Sequence, residues 1–148
     1  MELKPIGYVK KGTEDKDPSE PNTLSKLILR KDLAEALDGL NEFSHLFVLF
    51  WMHKIERTLM KAHPRGRSDM PLLGIFATRT PYRPNPIGLT LVKILKVDRN
   101  VITVQGLDAF HGTPILDLKP FDPWDMTQDI RVPKWWMKLE KEKTTKRN

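Results

Sequence analysis

The densest run of chemically capable residues lies between Gly74 and Gly88: Gly74-Ile75-Phe76-Ala77-Thr78-Arg79-Thr80-Pro81-Tyr82-Arg83-Pro84-Asn85-Pro86-Ile87-Gly88. An apolar stretch ends here in two arginines, a tyrosine, an asparagine and three prolines. Proline fixes φ and biases the preceding residue toward extended conformations, so Pro81, Pro84 and Pro86 make a stiff loop. A stiff loop loses less entropy when its polar side chains must be held for a ligand. A guanidinium suits carboxylates, phosphates and stacked bases. The same residues would also serve as a rigid crossover with solvated arginines, and residue types alone leave both readings open.

Two weaker clusters accompany it. Leu107-Asp108-Ala109-Phe110-His111-Gly112-Thr113-Pro114 leaves an apolar run and turns sharply, Gly112 permitting unusual φ. Exposed backbone groups at such a turn can read an adenine edge, and Asp108 can accept hydrogen bonds from a ribose or an amine; an Asp and a Gly often only make the turn. Lys119-Pro120-Phe121-Asp122-Pro123-Trp124-Asp125, followed by Trp135-Trp136, sets aromatics beside carboxylates. Such aromatics stack bases, fill a core or line a dimer interface. No G-x-G-x-x-G, P-loop or H-E-x-x-H is present, so the common nucleotide and zinc signatures are absent. His45, His53, His63 and His111 are scattered, and no metal site is expected from them.

The elements that must position these residues read mainly as strands. Leu3 to Lys10 reads as a strand with Ile6, Tyr8 and Val9 set for burial, and Leu27 to Leu29 as a second. Lys31 to Leu40 reads as a helix from the spacing of Leu33, Ala36, Leu37 and Leu40, with Gly39 at its C-cap. Leu46 to His53 is apolar on both faces and is expected to be buried on both. Lys11 to Asn22 and Lys54 to Met70 read as exposed loops, the latter basic. Leu72 to Thr78 is expected as a strand. Leu89 to Val97 and Val101 to Leu107 are expected as a hairpin turning at Asp98-Arg99-Asn100, then Ile115 to Leu118 as a strand and Pro133 to Lys143 as a helix. Six or seven strands without alternating helices predict a barrel or a strongly bent sheet.

Composition sets outer bounds. The 148 residues, 39% hydrophobic and 30% charged, suit a single globular domain. With no cysteine, a disulfide scaffold and thiolate chemistry are excluded. The longest apolar run, Leu46 to Met52, is too short for a membrane span, and no signal pattern opens the chain, so a cytoplasmic protein is expected. The net charge is +6, and residues 133–148 hold 6 basic and 2 acidic groups. That basic end can attract a polyanion such as RNA, or can be a solvated helix end.

At Gly74-Ile75-Phe76-Ala77-Thr78-Arg79, Arg83-Pro84-Asn85-Pro86-Ile87-Gly88, Asp108 with Gly112-Thr113-Pro114, Ile115 to Pro120 and Phe43-Ser44-His45-Leu46, the chain resembles the TsaA-like, or TrmO, family of tRNA methyltransferases. Arg-Pro-Asn-Pro-Ile-Gly is its most specific element. The resemblance implies a mainly β fold: a small TsaA-like β-barrel with one short internal helix and a C-terminal helix. It places the barrel domain at 1–136 and a basic C-terminal tail at 137–148. It implies S-adenosyl-L-methionine as cofactor, a homodimer, no metal and no membrane. The activity implied is methylation of N6 of threonylcarbamoyladenosine next to the anticodon of tRNA.

Carried across by motif, cofactor contacts fall at Pro18, Ser19, Glu20, His53, Lys54, Arg79, Leu89, Asp108, Ala109, Phe110, His111, Gly112 and Thr113. Catalytic candidates are Arg79, Arg83, Asn85 and Asp108, with Asp108, Asp117 and Asp122 as alternative proton acceptors. Bacterial relatives often carry an additional C-terminal domain; the Lys54 to Arg67 loop and the basic end are the expected substitutes for its substrate contacts. A non-catalytic RNA-binding barrel, or a methyltransferase with another substrate, is the alternative.

Overall fold

The computed structural model describes residues 1–12 and 22–147. Eight strands appear among them: β1 (Gly7–Lys10), β2 (Leu24–Leu29), β3 (His45–Trp51), β4 (Lys61–Ala62), β5 (Leu73–Gly74), β6 (Ile87–Asp98), β7 (Val101–Gln105) and β8 (Pro114–Pro120). Six close into an antiparallel barrel in the order β1-β2-β7-β6-β3-β8, while β4 and β5 pair separately inside the β3–β6 connection. Closure leaves no open sheet edge. One α-helix, α1 (Lys134–Arg147), ends the chain. The mainly β barrel with a C-terminal helix is as the sequence led us to expect.

Period-2 alternation fills the barrel. Leu27, Leu46, Val48, Val92, Ile102, Val104, Leu107 and Ile115 are almost wholly buried in one cluster. β1 corrects the expected burial: Val9 faces inward and Tyr8, 52% exposed, faces out. Its register is fixed by Gly7, where an added Cβ would lie 2.3 Å from the Ile28 carbonyl oxygen. β3 also departs from expectation. Leu46, Val48 and Phe50 are buried, but Phe47, Leu49 and Trp51 on the outer face are only half-buried. Their neighbours on β6 (Leu91 opposite Phe47, Leu89 opposite Leu49, Ile87 opposite Trp51) are exposed, so apart from Phe121, edge-on to Phe47 at 5.6 Å, this apolar face stands largely open among the described residues.

Two other elements differ. The segment expected as a helix over 31–40 forms 3-10 turns at Lys31–Leu37 and Leu40–Glu42. Asp32 is held by the Arg30 guanidinium, and Gly39, at φ +85°, ends the first turn after too few residues to nucleate an α-helix. The strand expected over Leu72 to Thr78 stops at Gly74 and becomes a 3-10 turn, Ile75–Ala77. The Thr78 hydroxyl donates to the Ile75 carbonyl at 2.8 Å, a local bond that competes with the ladder.

Strand directions sort the connections. Residues 11–12, 22–23, 52–86 and 106–113 lie at one end of the barrel, which we call the upper end. Residues 30–44, the 99–100 turn and the exit after Pro120 lie at the lower end.

Gly88, the second residue of β6, lies close against the Phe50 ring; a Cβ there would fall 2.3 Å from two ring atoms. Gly88→Ala is therefore expected to lower unfolding free energy by about 1–3 kcal/mol, the range for overpacking a core. Gly74→Ala, with nothing within 4 Å of the added atom, is expected to change it far less. Urea unfolding of both variants checks this pair; equal midpoints would refute the packing role assigned to Gly88.

Candidate cofactor site at the upper end of the barrel

The residues singled out in the sequence converge because the connections carrying them share one end. His53 and Lys54 follow β3, Arg79, Arg83 and Asn85 lie on the return into β6, Leu89 is near the start of β6, and Asp108 to Thr113 joins β7 to β8. Pro18, Ser19 and Glu20 fall outside the described residues.

Specific contacts bind these loops together. The Lys54 ammonium sits 4.4 Å from the centroid of the Phe110 ring, joining the long connection to the 106–113 turn. The Arg79 guanidinium donates to the Leu89 carbonyl at 2.9 Å. The Lys11 backbone N–H donates to His111 Nδ1 at 3.1 Å. Gly112 N–H donates to the Val9 carbonyl at 2.8 Å and Val9 N–H to the Thr113 carbonyl at 3.0 Å, pinning the turn to β1. Gly112 has φ +80°, a conformation that favours glycine. Along this turn burial alternates: Leu107, Ala109 and Thr113 are buried, while Asp108, Phe110 and His111 are exposed. Ala109 and Thr113 therefore offer little surface to a ligand.

The two arginines of the stiff segment have different surroundings. Arg83 is half-buried and donates to the carbonyls of Thr78 at 2.7 Å and Thr80 at 3.3 Å, so it ties the segment to itself. Arg79 is exposed, with one guanidinium nitrogen engaged and the others directed to no protein acceptor among the described residues. Asn85 is exposed, its carbonyl accepting from Ile87 N–H at 2.7 Å.

The fold also separates the three carboxylates. Asp117 lies in mid-β8, accepting from Leu118 N–H at 2.9 Å and paired with Lys119 at 3.1 Å. Asp122 caps a 3-10 turn beyond β8, at the lower end, accepting from Trp124 N–H at 2.8 Å. Asp108 alone of the three lies among the upper loops, exposed and without a hydrogen bond among the described residues. His45 sits at the lower end of β3 against Ser44, and no cluster of potential metal ligands occurs among the described residues.

A cavity of about 220 Å³ opens beside this segment, lined by Trp51, Glu56, Arg57, Arg83, Pro84 and Pro86 among others. Arg57, 5.1 Å from the Tyr82 ring centroid, was not singled out in the sequence; the alternation of basic and aromatic residues across the two sides of a loop carries no short-range signal. A larger cavity of about 500 Å³ lies at the lower end between the 31–42 turns and the Arg99 turn. Its lining includes Glu35 and Asp38 and none of the converging loops, so its size does not make it the site.

These loops carry the motifs by which the chain compares with known proteins. A family model described as the tRNA-methyltransferase O N-terminal domain matches residues 9–125. The chain belongs to this family. A probable S-adenosyl-L-methionine-binding protein of Methanocaldococcus jannaschii is 45% identical over 123 residues, covering 80% of this chain and 90% of that protein. The human tRNA (adenine(37)-N6)-methyltransferase is 38% identical over 141 residues, which cover 87% of this chain but 32% of the human protein. The crystal structure of a TrmO from P. aeruginosa superposes with a TM-score of 0.73 at 30% identity, covering 91% of this chain and 61% of that one. The chain thus spans nearly all of the archaeal relative and under two thirds of these two methyltransferase-named proteins.

His53 is held below the ordinary histidine value, first by partial burial and second by the adjacent Lys54 charge. Its ring is therefore neutral at pH 7 and able to accept a hydrogen bond. Proton-detected titration is expected to place its midpoint below 6.5, and Lys54→Ala is expected to raise that midpoint part of the way back. A midpoint at or above the ordinary value would contradict the environment described.

Proposed function

We propose that the chain is an S-adenosyl-L-methionine-dependent methyltransferase that modifies N6 of threonylcarbamoyladenosine next to the anticodon of tRNA. The observation that carries this reading is the convergence of Arg79, Lys54, Leu89 and the Asp108–Thr113 turn at one end of a family barrel. The residue types suit the cofactor. Arg79 presents a free guanidinium edge for a carboxylate, Phe110 and Leu89 present apolar surface for an adenine, and Asp108 with the turn's backbone presents acceptors and donors for a ribose and a base edge. Bound there, S-adenosylmethionine supplies an already activated methyl group.

The protein's work is then positioning and proton removal. Arg83, by holding the carbonyls of Thr78 and Thr80, fixes the segment that aims Arg79. The amide-substituted N6 is a weak nucleophile, and Asp108, unpaired among the described residues, takes its proton. Asn85, on the same rigid segment, supplies an amide able to donate and accept beside the substrate.

We further propose that the working form is a homodimer in the cytoplasm. The outer face of β3 and β6 supports this assembly: Ile87, Leu89 and Leu91 stand exposed beside Phe47, Leu49 and Trp51. A contiguous apolar surface of this kind favours association. Leu89 belongs to both surfaces, its side chain on that face and its carbonyl held by Arg79. Leu91→Lys is expected to shift the protein toward monomer in analytical ultracentrifugation; an unchanged sedimentation coefficient would exclude this face.

Calorimetry with S-adenosylmethionine and S-adenosylhomocysteine, followed by methyl incorporation into tRNA with and without the threonylcarbamoyl group, tests the activity. Arg79→Ala is expected to weaken cofactor binding by roughly 10-fold or more, the cost of a charge-assisted hydrogen bond. Asp108→Asn is expected to cut methyl transfer at saturating cofactor by about 10²–10⁴-fold. Cofactor binding without methyl transfer to either tRNA would favour a binding role, which the name of the archaeal relative also fits.

A further inference from the structure

Helix α1 does not trail from the barrel. Arg67, in the long upper connection, holds the Asp69 carboxylate through two hydrogen bonds at 2.9 and 2.6 Å, and reaches across to Glu142 of α1 with both terminal nitrogens. Lys138 of α1 returns to Asp69 at 3.1 Å. Leu139, on the same side of the helix as Lys138 and Glu142, is buried, and so is Met70 next to Asp69. Isolated surface ion pairs contribute little, but a bidentate network on a helix with a buried apolar side chain, Leu139, defines one docked geometry.

The clasp has an electrostatic consequence. Residues 54–70 and 134–143 together carry nine basic and four acidic side chains. Asp69 and Glu142 pair with Arg67 and Lys138, which leaves seven basic and two acidic side chains outside the clasp. Lys134, Lys138 and Lys141 recur at i, i+4 and i+7 and so form one stripe along α1. Docking lays this stripe against the connection that bears Lys54, Arg57, Lys61 and Arg65. That connection is tied back to the candidate site through Leu59 N–H to the Tyr82 carbonyl and Ile75 N–H to the Met60 carbonyl, both 3.0 Å.

We infer that the clasped helix and the 54–67 connection form one basic surface that binds the phosphate backbone of the RNA substrate beside the modified nucleotide. The inference rests on the tRNA reading above. Lysine stripes fit a phosphate track, since they attract anions without demanding base-specific geometry. Such contacts set affinity and register and leave base recognition to the loops of the site.

The test is fluorescence anisotropy of labelled tRNA at several salt concentrations. Lys134→Ala with Lys141→Ala leaves the clasp intact. It is expected to weaken tRNA binding several-fold and to reduce the slope of log affinity against log salt by about 1.5–2, from two lost phosphate contacts, with S-adenosylhomocysteine affinity unchanged. Lys31→Ala with Lys96→Ala removes the same charge at the lower end and is expected to leave both quantities near wild type. Arg67→Ala releases the helix, seen as faster amide exchange in 134–147, and is expected to weaken tRNA binding likewise. Wild-type tRNA affinity and salt slope in the Lys134/Lys141 variant would overturn the surface while leaving the enzyme reading intact. A wild-type protein that binds S-adenosylhomocysteine but no tRNA would overturn the substrate reading and this surface with it.

Discussion

Closure of the barrel between its first and last strands is the constraint on which the site depends. The β1–β8 seam is short, pairing Gly7 with Ile115 and Tyr8 with Pro114. It is extended by Ile6 N–H to the Ile115 carbonyl at 2.8 Å and by the two bonds between Val9 and the Gly112–Thr113 turn. That seam converts a meandering sheet into a ring. Once closed, the ring gathers the 52–86 and 106–113 connections around a single end. The seam also anchors the turn that carries Asp108 and Phe110. Gly7 lets β1 approach β2 closely enough for this, and Gly88 does the same for β6 against Phe50. The terminal glycine of the Arg-Pro-Asn-Pro-Ile-Gly element therefore has a packing reason distinct from the chemistry of the arginine before it.

Much of this was legible in the residues themselves. Alternation located β6, β7 and β8, and turn chemistry located the Arg99 turn and the 106–113 turn. Proline density marked the stiff segment. Single-residue register was harder: Tyr8 and Val9 are both apolar enough to bury, and only the backbone contact at Gly7 decides between them. The outer face of β3 is as apolar as its inner face, and sequence cannot distinguish a face covered by the same chain from one left open. The 72–78 stretch carries strand-forming residues, yet the Thr78 hydroxyl turns the backbone after Gly74.

The candidate site was legible by residue type more than by role. Arg79 and Arg83 looked equivalent in sequence. Structure assigns the second to carbonyls of its own loop and leaves the first facing solvent. Asp108, Asp117 and Asp122 also looked equivalent, and strand direction separates them by placing Asp122 at the far end and Asp117 in a mid-strand ion pair. The clasp of Arg67 with Glu142 had no sequence signal, because the two are 75 residues apart. Yet it governs where the basic helix lies, and so couples a charge surplus that composition reveals to a location that composition does not. Acid would undo it in a defined direction. Asp69 and Glu142 are held below their ordinary values chiefly by hydrogen bonds from Arg67, so their contribution is complete above the unfolded carboxylate values and fades only as pH falls through the lowered ones.

The proposed cofactor chemistry lies at the upper end, among loops brought together by closure. Amide hydrogen exchange with and without saturating S-adenosylhomocysteine tests it directly. The account predicts new protection in residues 52–59, 76–90 and 106–113, with no change at 31–42 or 98–101. Protection centred on 31–42 and the Arg99 turn, around the larger cavity at the lower end, would contradict it.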